Sequence, residues 1–374
     1  MKFIFLNNTN RLPVRTLKII ESLKKRGHWV FIINWQRNEN EYSNYENLVD
    51  GFRIVKTRNI NLFLMKSFRF LLKINHDCIS CNDVRFLPLA ILISKLKKVK
   101  ILYDYKEYPP ATFAQKFSKY FKKEKFLLNF FEKLEAILLF QTHGILSIPL
   151  LFSQNNGIIQ HKNKAIIYNV PSKRDLDESW IEYYRVKYKN YILLIYAGTM
   201  FEDKGLTKYL NLISMLKKNF PNIKLILVGD FKQRITIPSY CREYVELISY
   251  LPYHQLLGLL SICKIGLALF NPNNLKFKYL NSGTSRKIFT YMLCGLPIVA
   301  SKMPLNKVVE EEQCGFLVNY NNLKEIYNAC FKLLTDEKLW SKFSANAKNA
   351  ILTKYNWEKE EEKILNVLNV LEKL

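Results

Sequence analysis

Short apolar runs alternate with amphipathic segments along almost the whole chain. Apolar runs bounded by Gly, Asn or Asp predict buried strands, and apolar residues at helical spacing between these runs predict helices. In the first half this alternation predicts a parallel sheet wrapped by helices. The strands predicted there are residues 2–6, 29–34, 51–55, 77–81, 100–103, 144–147 and 165–168.

The same rhythm starts again at residue 191, after a charged and aromatic stretch that is typical of a linker. The pattern therefore predicts an α/β protein of two doubly wound domains. It also predicts a helix of the second domain over residues 204–220. The strands predicted in the second half are residues 192–196, 224–228, 247–251, 265–270, 298–300 and 315–318. The expected parts are a first domain (1–172), a linker (173–190), a second domain (191–356) and a last helix (357–374) that packs back towards the first domain.

Residues 281–301 form the segment around which the second half is arranged. A polar loop at 281–285 leads into an amphipathic helix, Gly295 and Pro297 end that helix, and a short apolar strand follows. The first amides of such a helix have no partner inside the helix, so they suit a diphosphate, and Lys287 adds positive charge at the same end. The alternative is an ordinary helix–strand unit whose lysine is solvated.

A second group of polar side chains follows the predicted strand at 100–103. Asp104, Lys106 and Glu107 lie just beyond the carboxyl end of that strand. Ligands of open α/β sheets bind at this end of the strands, so these three residues are candidates for site chemistry. A helix cap with a surface ion pair is the alternative interpretation.

Composition narrows the class of protein. The chain has 374 residues, is 49% hydrophobic and carries a formal net charge of +25, and no apolar run reaches the length of a membrane span. A positive charge of this size attracts nucleic acid or an anionic membrane, but no recognised nucleic-acid module is present. The seven Cys show no disulfide spacing, which favours a reducing cytoplasm, and Cys78 and Cys81 are interpreted as strand residues.

The stretch from Phe113 to Leu134 mixes aromatic residues with lysines. The residues near helical spacing are Phe113, Phe117, Tyr120, Phe121, Leu128 and Phe131. The five lysines among them are Lys116, Lys119, Lys122, Lys123 and Lys125. A basic helix with aromatic residues is typical of a membrane interface, so the segment from Phe113 to Phe131 predicts reversible docking on an anionic membrane surface. The alternative is a core helix with a solvated basic face.

A series of short motifs runs in order through both halves of the chain. The motifs are Asp104-Tyr105-Lys106-Glu107, Asn169-Val170-Pro171, Tyr196-Ala197-Gly198-Thr199, Lys204-Gly205-Leu206, Val228-Gly229-Asp230, Lys287 to Met292, Gly295, Pro297 to Ser301, Gly315 to Val318 and Trp357. In this order and spacing they resemble a family 4 glycosyltransferase of the GT-B architecture, in which two Rossmann-like domains face each other across a cleft. Arg15 resembles the arginine that opens the first helix in that family.

The resemblance implies a retaining hexosyltransferase that moves a sugar from a nucleotide-sugar donor to a lipid-linked or cell-surface glycan acceptor and needs no metal or other cofactor. The base would lie by Gly229, Asp230 and the backbone near Leu251, and the diphosphate would lie by Lys204 and the loop ahead of Lys287. The implied donor-binding residues are Gly198, Thr199, Lys204, Gly205, Gly229, Asp230, Leu251, Gly283, Thr284, Ser285, Lys287 and Thr290. On the acceptor side the resemblance implies Arg15, with Asp104, Lys106 and Glu107 as catalytic candidates.

Several positions depart from the family pattern. Ser282 and Thr290 stand where the family often has two glutamates, Lys106 replaces the usual histidine, and Gly198 stands where some relatives have a phosphate-binding arginine. These departures leave three alternatives beside the transferase: a degenerate subunit that binds without turnover, a sugar-nucleotide 2-epimerase on the same fold, and, suggested by charge alone, a nucleic-acid binder. Lys204, Lys287 and the Gly-rich loops favour the transferase.

Overall fold

The computed structural model describes residues 1–9, 12–37, 45–121, 123–150, 157–173, 175, 178–200, 204–229, 235–278, 280–281 and 285–374. The chain forms two compact units. The first comprises residues 1–148, 152–167 and 360–374, and the second comprises residues 149–151 and 168–359.

The first unit is built on a parallel sheet with strand order β3-β2-β1-β4-β5-β6-β7. The strands are β1 (Lys2–Asn7), β2 (Trp29–Gln36), β3 (Gly51–Lys56), β4 (Cys78–Cys81), β5 (Lys100–Tyr105), β6 (Gly144–Ser147) and β7 (Lys164–Ile166). β1 and β4 pair in register from Phe3 with Cys78 to Leu6 with Cys81. The direction in which the strands are added reverses between these two strands, and a reversal of this kind opens a crevice at the carboxyl ends.

The helices of the first unit connect successive strands. They are α1 (Val14–Lys25), α2 (Ile60–Lys73), α3 (Leu87–Lys97), α4 (Pro109–Phe121), α5 (Glu124–Leu139) and the short α6 (Gly157–Gln160). Sequence chemistry fixes some of their starts: the Asn59 side chain accepts a hydrogen bond from the Asn61 amide at 2.8 Å and caps α2. The inner strands of the sheet are buried over almost their whole length, which explains why their sequences are apolar without alternation, whereas the edge strands β3 and β7 are partly exposed.

The stretch 113–134 was predicted as one basic helix, and this prediction is wrong. The helix ends at Phe121 and a second helix begins at Glu124, so the segment is a helical hairpin. Phe113 and Phe131 pack against each other inside the hairpin with ring centroids 5.4 Å apart, and Leu128 is buried. Phe113, Leu128 and Phe131 therefore lie between or beneath the two helices, whereas Tyr120 and Phe121 are exposed.

The second unit repeats the plan with a parallel sheet of order β10-β9-β8-β11-β12-β13. The strands are β8 (Ile192–Ala197), β9 (Ile223–Val228), β10 (Val245–Ile248), β11 (Ile265–Ala268), β12 (Ile298–Ser301) and β13 (Gly315–Val318). Here the strand order reverses between β8 and β11. β10 lies slightly earlier in the chain than the predicted strand at 247–251.

The second unit also contains most of the remaining helices. They are α7 (Glu178–Lys187), α8 (Leu206–Leu216), α9 (Tyr253–Ser261), α10 (Leu275–Lys278), α11 (Arg286–Leu293), α12 (Val308–Glu311), α13 (Leu323–Thr335) and α14 (Glu337–Thr353). α7 occupies part of the stretch expected to be a linker. It packs closely on α9, because a Cβ added at Gly258 would lie 2.6 Å from the Trp180 Cβ. The last helix, α15 (Trp357–Lys373), begins in this unit, and its residues from Glu360 onward belong to the first unit.

Two further sequence expectations can be compared with the structure. Cys78 and Cys81 lie in strand β4 as predicted, and all seven cysteines are buried free thiols. Among the described residues, no helix is both long enough and apolar enough to cross a membrane.

Candidate functional site

The first candidate site lies in the second unit, at the crevice where the strand order reverses. A cavity of about 340 Å³ opens beyond the carboxyl ends of β8 and β11. Its described lining comes from the β8 end, from Lys204 and from the first turns of α9 and α11. The lining residues are Ala197, Gly198, Thr199, Lys204, Tyr253, Leu256, Phe270, Phe277, Leu280, Ser285, Arg286, Lys287, Thr290, Tyr291 and Leu305. Six predicted donor-binding residues are therefore brought together here: Gly198, Thr199, Lys204, Ser285, Lys287 and Thr290.

Two glycines shape the entrance to this cavity. Gly198 ends β8 with φ +140° and Gly229 ends β9 with φ +146°, a region that side chains rarely allow. A Cβ added at Gly229 would lie 2.2 Å from the Gly198 carbonyl oxygen, so the two strand ends pass too closely for any side chain there. At Gly198 an added Cβ would lie 3.3 Å from the Lys287 Nζ. The absence of a side chain at Gly198 therefore leaves the Lys287 ammonium facing the cavity.

Lys287 is held by aromatic rings, with no carboxylate beside it among the described lining residues. It lies in the first turn of α11, and its Nζ is 3.8 Å from the Tyr196 ring centroid and 4.7 Å from that of Phe270. Burial, and then the nearby charges of Lys204 and Arg286, lower the pKa of Lys287 well below its usual 10.5. A cation in this setting gains most from an anionic ligand, because such a ligand supplies the opposite charge that its surroundings lack.

Lys204 lies in the same cavity, just ahead of α8. Gly205 follows with φ +84°, and a Cβ added there would lie 2.9 Å from the Leu269 Cβ. Because residue 205 has no side chain, the backbone of this loop can lie directly against Leu269, the residue that follows β11. Two lysines from separate segments converge on one cavity, an arrangement that suits a diphosphate.

The start of α11 forms another wall. Ser285 is its N-cap residue and makes no side-chain capping hydrogen bond. The Ile288 amide donates to the Ser285 carbonyl at 3.2 Å, and the two amides before it lie at the start of the helix, where the helix itself offers them no partner. The Thr290 hydroxyl donates to the Arg286 carbonyl oxygen at 3.0 Å within the same helix. Thr290 is also close to Tyr253, whose pKa is raised mainly by burial. Thr290 therefore lines the cavity as predicted, with its hydroxyl already engaged.

Tyrosines whose role the sequence did not reveal hold this site together. The Tyr291 hydroxyl accepts a hydrogen bond from the Ala197 amide at 2.9 Å and donates to the Leu267 carbonyl at 3.2 Å. It thereby ties α11 to the ends of both β8 and β11. The Tyr196 hydroxyl donates to the Thr199 carbonyl at 2.9 Å and fixes the loop that follows β8. The only signal in the sequence was that each tyrosine lies a few residues before a glycine of a motif.

Other predicted donor-binding residues lie elsewhere. Gly205 and Gly229 shape the backbone beside the cavity, as described, and do not line it. Leu251 is half-buried and packs against the apolar core of the second unit, outside the cavity lining. Asp230, Gly283 and Thr284 lie outside the residues that the structure describes.

The second candidate site lies in the first unit, at the carboxyl ends of β1, β2, β4 and β5. A cavity of about 520 Å³ opens there. Its described lining residues are Asn8, Thr9, Pro13, Arg37, Asn82, Asp83, Val84, Arg85, Tyr103, Lys106, Glu107, Pro109, Thr112, Phe113 and Lys116. Two of the predicted catalytic residues, Lys106 and Glu107, line this cavity, and Glu107 is exposed.

A buried ion-pair network lies behind this cavity. The Arg15 Nε donates to Asp104 Oδ1 at 3.0 Å, and its other nitrogens donate to the carbonyls of Ile167 at 3.0 Å and Leu146 at 3.2 Å. The Lys106 Nζ lies 3.4 Å from Asp104 Oδ2 and donates to the Thr16 hydroxyl. Burial lowers the pKa of Lys106, and the charge of Asp104 opposes that effect. Arg15, predicted on the acceptor side, is thus a buried residue that ties α1 to the ends of β5, β6 and β7.

Two arginines of this cavity were missed by the sequence reasoning. The Arg37 and Arg85 guanidinium carbons lie 4.8 and 5.4 Å from the ring centroid of the same indole, that of Trp35. Arg85 also forms a two-point ion pair with Asp83, whose pKa is lowered. The Arg37 Nη2 donates to the Asn8 carbonyl at 2.8 Å. No short motif marks these two residues, because they follow two different strands, β2 and β4.

The comparisons with known proteins agree with this architecture. The family model of group 1 glycosyl transferases matches residues 184–350. An uncharacterized glycosyltransferase of Methanocaldococcus jannaschii is 25% identical over 180 residues, which is 46% of this chain and 44% of that relative. The chain thus spans less than half the length of this curated relative.

Solved structures resemble the whole chain. HepE from Anabaena in complex with UDP-glucose gives a TM-score of 0.70 at 16% identity, with 100% of both chains covered. Sucrose-phosphate synthase from Thermosynechococcus elongatus gives a TM-score of 0.71 at 14% identity, again with 100% of both chains covered. The predicted α/β fold of GT-B type, with two Rossmann-like domains, is therefore confirmed. The second unit therefore resembles group 1 glycosyl transferases, in agreement with the predicted enzyme class.

Proposed function

We propose that this chain is a retaining, metal-independent glycosyltransferase of family 4 that binds its nucleotide-sugar donor in the cavity of the second unit. One observation carries the proposal. Lys204 and Lys287 converge on a cavity whose described lining contains no carboxylate, beside the start of α11. This combination favours a ligand with two adjacent negative charges, such as the diphosphate of a sugar nucleotide.

The same arrangement supports a metal-independent reaction. As the bond between sugar and phosphate breaks, negative charge develops on the leaving diphosphate. Two ammonium groups and helix amides fixed in a half-buried cavity stabilise that charge where other folds use a divalent cation. Treatment with a chelator is therefore expected to leave the rate unchanged. Retention at the anomeric carbon belongs to the proposal through the resemblance of the motifs, and NMR of the product anomer tests it.

We assign the acceptor to the cavity of the first unit. That cavity lies at the strand-order reversal and offers polar and cationic side chains, among them Asn8, Arg37 and Lys106. Hydroxyl-rich ligands bind to such donors and acceptors in the crevice of open α/β sheets. We propose a lipid-linked or cell-surface glycan as the acceptor, and Lys106 and Glu107 as the residues that contact its reacting end.

The proposed compartment is the cytoplasm. All seven cysteines are free and buried, and burial raises the pKa of several of their thiols, for example that of Cys78 to about 12. Buried, protonated thiols of this kind react poorly, and the fold contains them without disulfide bonds. Labelling of the seven thiols after denaturation of the native protein tests this part of the proposal.

Binding of the donor can be tested before any acceptor is known. UDP-, GDP- and TDP-sugars are added to the purified chain and the thermal midpoint is measured, because a ligand bound only by the folded state raises its stability. UDP-glucose is the first candidate, since HepE was solved with it. We expect a rise with one base, and a weaker rise in Lys287→Met. If no sugar nucleotide or nucleoside diphosphate raises the midpoint, the proposal is wrong.

A second candidate is a subunit that binds a sugar nucleotide without turnover. Thr290 favours it, because its buried hydroxyl bonds within its own helix and no carboxylate stands at that position. The two candidates differ in their products. Release of the nucleoside diphosphate in the presence of cell-derived acceptors shows transfer, whereas binding without release supports the subunit. A new sugar nucleotide in place of the free diphosphate would instead reveal an epimerase.

A further inference from the structure

The outer surface of the α4–α5 hairpin carries a row of large apolar side chains. Phe126, Phe130, Leu134 and Ile137 of α5 are 67%, 52%, 46% and 63% exposed. Their spacing of four, four and three residues places them within about 80° of arc on one side of the helix. Single exposed apolar residues are common, but a continuous row of this kind marks an interaction surface.

The opposite side of α5 fixes the direction of this row. Leu128 and Leu139 are buried there, together with Glu132 and Glu135. The Tyr105 hydroxyl donates to Glu135 Oε2 at 3.0 Å, and the Tyr108 hydroxyl donates to Glu132. These hydrogen bonds and the apolar contacts hold one face of α5 against β5 and the start of α4. The exposed row is therefore a stable outer face of the folded unit.

The row continues at the tip of the hairpin, and cations surround it. Tyr120 and Phe121, at the end of α4, are 78% and 62% exposed. The described and exposed charged side chains of the hairpin are Lys116, Lys123, Lys125, Lys133 and Glu124. Both remaining glutamates of α5 point inward, so the charge on the outer surface is strongly positive. Apolar side chains with a positive surround are complementary to the interface of an anionic bilayer.

We propose that this hairpin surface, formed by Tyr120, Phe121, Phe126, Phe130, Leu134 and Ile137, docks flat on an anionic lipid bilayer. The aromatic and aliphatic side chains enter the region between head groups and acyl chains. The lysines extend along them and pair with lipid phosphates, which makes docking reversible and sensitive to salt. This inference goes beyond the proposed transfer reaction and does not depend on it.

Another basic surface of the first unit provides an internal comparison. Arg53, Lys56, Lys66, Arg69 and Lys73 line a groove of about 630 Å³ between edge strand β3 and α2. The Arg53 guanidinium lies over the Phe70 ring at 5.0 Å. The groove has the stronger concentration of charge but no row of exposed aromatic side chains. Binding by charge alone would therefore use the groove, and binding by insertion would use the hairpin.

The test is flotation with vesicles of phosphatidylcholine alone or mixed with phosphatidylglycerol. The native chain is expected to float with the mixed vesicles. The variant Phe126→Ser/Phe130→Ser/Ile137→Ser is expected to bind them at least about tenfold more weakly, because it removes most of the inserted apolar surface. The matched control is Val186→Ser/Leu352→Ser, which changes two residues of the second unit that are 68% and 54% exposed. This control is expected to bind like the native chain.

A second variant separates insertion from charge. Lys66→Glu/Arg69→Glu reverses two cations of the groove, and it is expected to retain most of the binding to mixed vesicles. Loss of binding in this variant, with normal binding by the triple serine variant, would overturn the proposal in favour of the groove. The proposal is equally wrong if the native chain ignores mixed vesicles at low salt.

A direct measurement of insertion uses Phe130→Trp. Brominated lipids in mixed vesicles are expected to quench the fluorescence of this variant more than that of the native chain. Sedimentation velocity without lipid tests whether a second copy covers the surface instead. A dimer that the triple serine variant abolishes, together with equal quenching of native chain and Phe130→Trp, would reject membrane docking and assign the surface to self-association.

Discussion

Lys106 and Lys287 each face a cavity of their own unit but have opposite surroundings. Lys106 follows strand β5, and Lys287 lies in the first turn of α11. Lys106 lies 3.4 Å from Asp104, which also pairs with Arg15. Lys287 lies over the Tyr196 and Phe270 rings, and its charged neighbours are Lys204 and Arg286.

This difference shows how the same fold produces two kinds of site. In the first unit the charges are balanced within the protein, so the network fixes the loop after β5 whether or not a ligand is bound. In the second unit the described lining of the cavity contains Lys204, Arg286 and Lys287 and no carboxylate, so the cavity suits an anionic ligand. The predictions below follow from this comparison, in order of decreasing effect.

The largest effect is expected for Asp104→Asn. Removing this carboxylate leaves the buried Arg15 guanidinium without its counter-charge, and breaking a buried pair in this way costs about 3–5 kcal/mol of unfolding free energy. Urea denaturation measures the loss. Lys106→Met is the control, because it keeps the Arg15–Asp104 pair and is expected to cost much less. Equal stability of Asp104→Asn and the native chain would show that the network is not structural.

Lys287→Met is expected to lower activity without lowering stability. It should lower kcat/KM for the donor by about 100-fold, because a charge-assisted contact to the diphosphate is worth about 1.5–3 kcal/mol. The unfolding free energy should hold or rise, since the variant removes a half-buried cation that has no carboxylate partner among the described lining residues. Steady-state kinetics and urea denaturation check both halves. A stability loss as large as that of Asp104→Asn would remove the contrast between the two lysines.

Lys204→Ala is expected to reduce kcat/KM by tens of fold. Lys204 reaches the same cavity from the loop before α8, and the variant removes one of the two converging ammonium groups. Lys208→Ala is a matched control on α8, because the Lys208 ammonium lies over the Tyr320 ring and outside the cavity lining. An unchanged kcat/KM in Lys204→Ala contradicts the placement of the diphosphate.

The lowered pKa of Lys287 predicts a dependence on pH. The unfolded chain keeps the ordinary pKa of 10.5, so between the lower folded pKa and 10.5 the unfolded state binds more protons. The unfolding free energy of the ligand-free chain should therefore rise with pH in that window, by at most about 1.4 kcal/mol per unit, and the cost of burying the charge is fully present below it. Lys287→Met should lose this slope.

The same shift has a counterpart in ligand binding. A bound diphosphate favours the charged ammonium and raises its pKa, so binding in mildly alkaline solution should take up a proton. Calorimetric titration with UDP in buffers of different ionisation enthalpy measures this uptake. Uptake of the same size in Lys287→Met would assign the proton to another group.

Thr290→Glu is expected to have the smallest effect. It places on α11 the carboxylate that is usual in the family 4 pattern that this chain resembles. Charge-assisted hydrogen bonds from two ribose hydroxyls to a carboxylate are roughly twice as strong as neutral ones. Affinity for UDP should rise by about fivefold, or at least hold, in calorimetric titration. Thr290→Val, which removes the hydroxyl without adding charge, is the control. A clear loss of affinity in Thr290→Glu would mean that the ribose lies elsewhere, and the binding subunit without turnover would gain support.

The sequence pointed to many residues in and around the cavity of the second unit because its signals are local. Gly198, Gly229 and Gly205 were found by their motifs, and the structure gives each of them a positive φ. Lys287 was found by its place at a helix start. Its surroundings could not be found in this way, because the Tyr196 ring belongs to another segment of the chain. Leu251 packs against the core outside the described cavity lining, and its place by the base of the donor stays a prediction.

The α4–α5 hairpin of the first unit is another place where the sequence did not determine which residues are in contact. Helical spacing suggested that Phe113, Phe117 and Phe131 share one face, but the break between Phe121 and Glu124 turns Phe113 and Phe131 towards each other. The sequence between Phe121 and Glu124 contains no Gly or Pro that would mark the break. Which apolar residues became the outer surface was therefore undetermined.

The amino-acid sequence by itself determined two parallel-sheet α/β units and the approximate place of nearly every strand. These features follow from apolar runs and from Gly and Pro positions a few residues apart, so they depend on local physical chemistry. Tertiary structure alone decided that Lys106 is paired with a carboxylate and that Lys287 lies over aromatic rings. Arg15 and Asp104 are 89 positions apart, and only folding brings such charges into the low-dielectric contact that makes the difference.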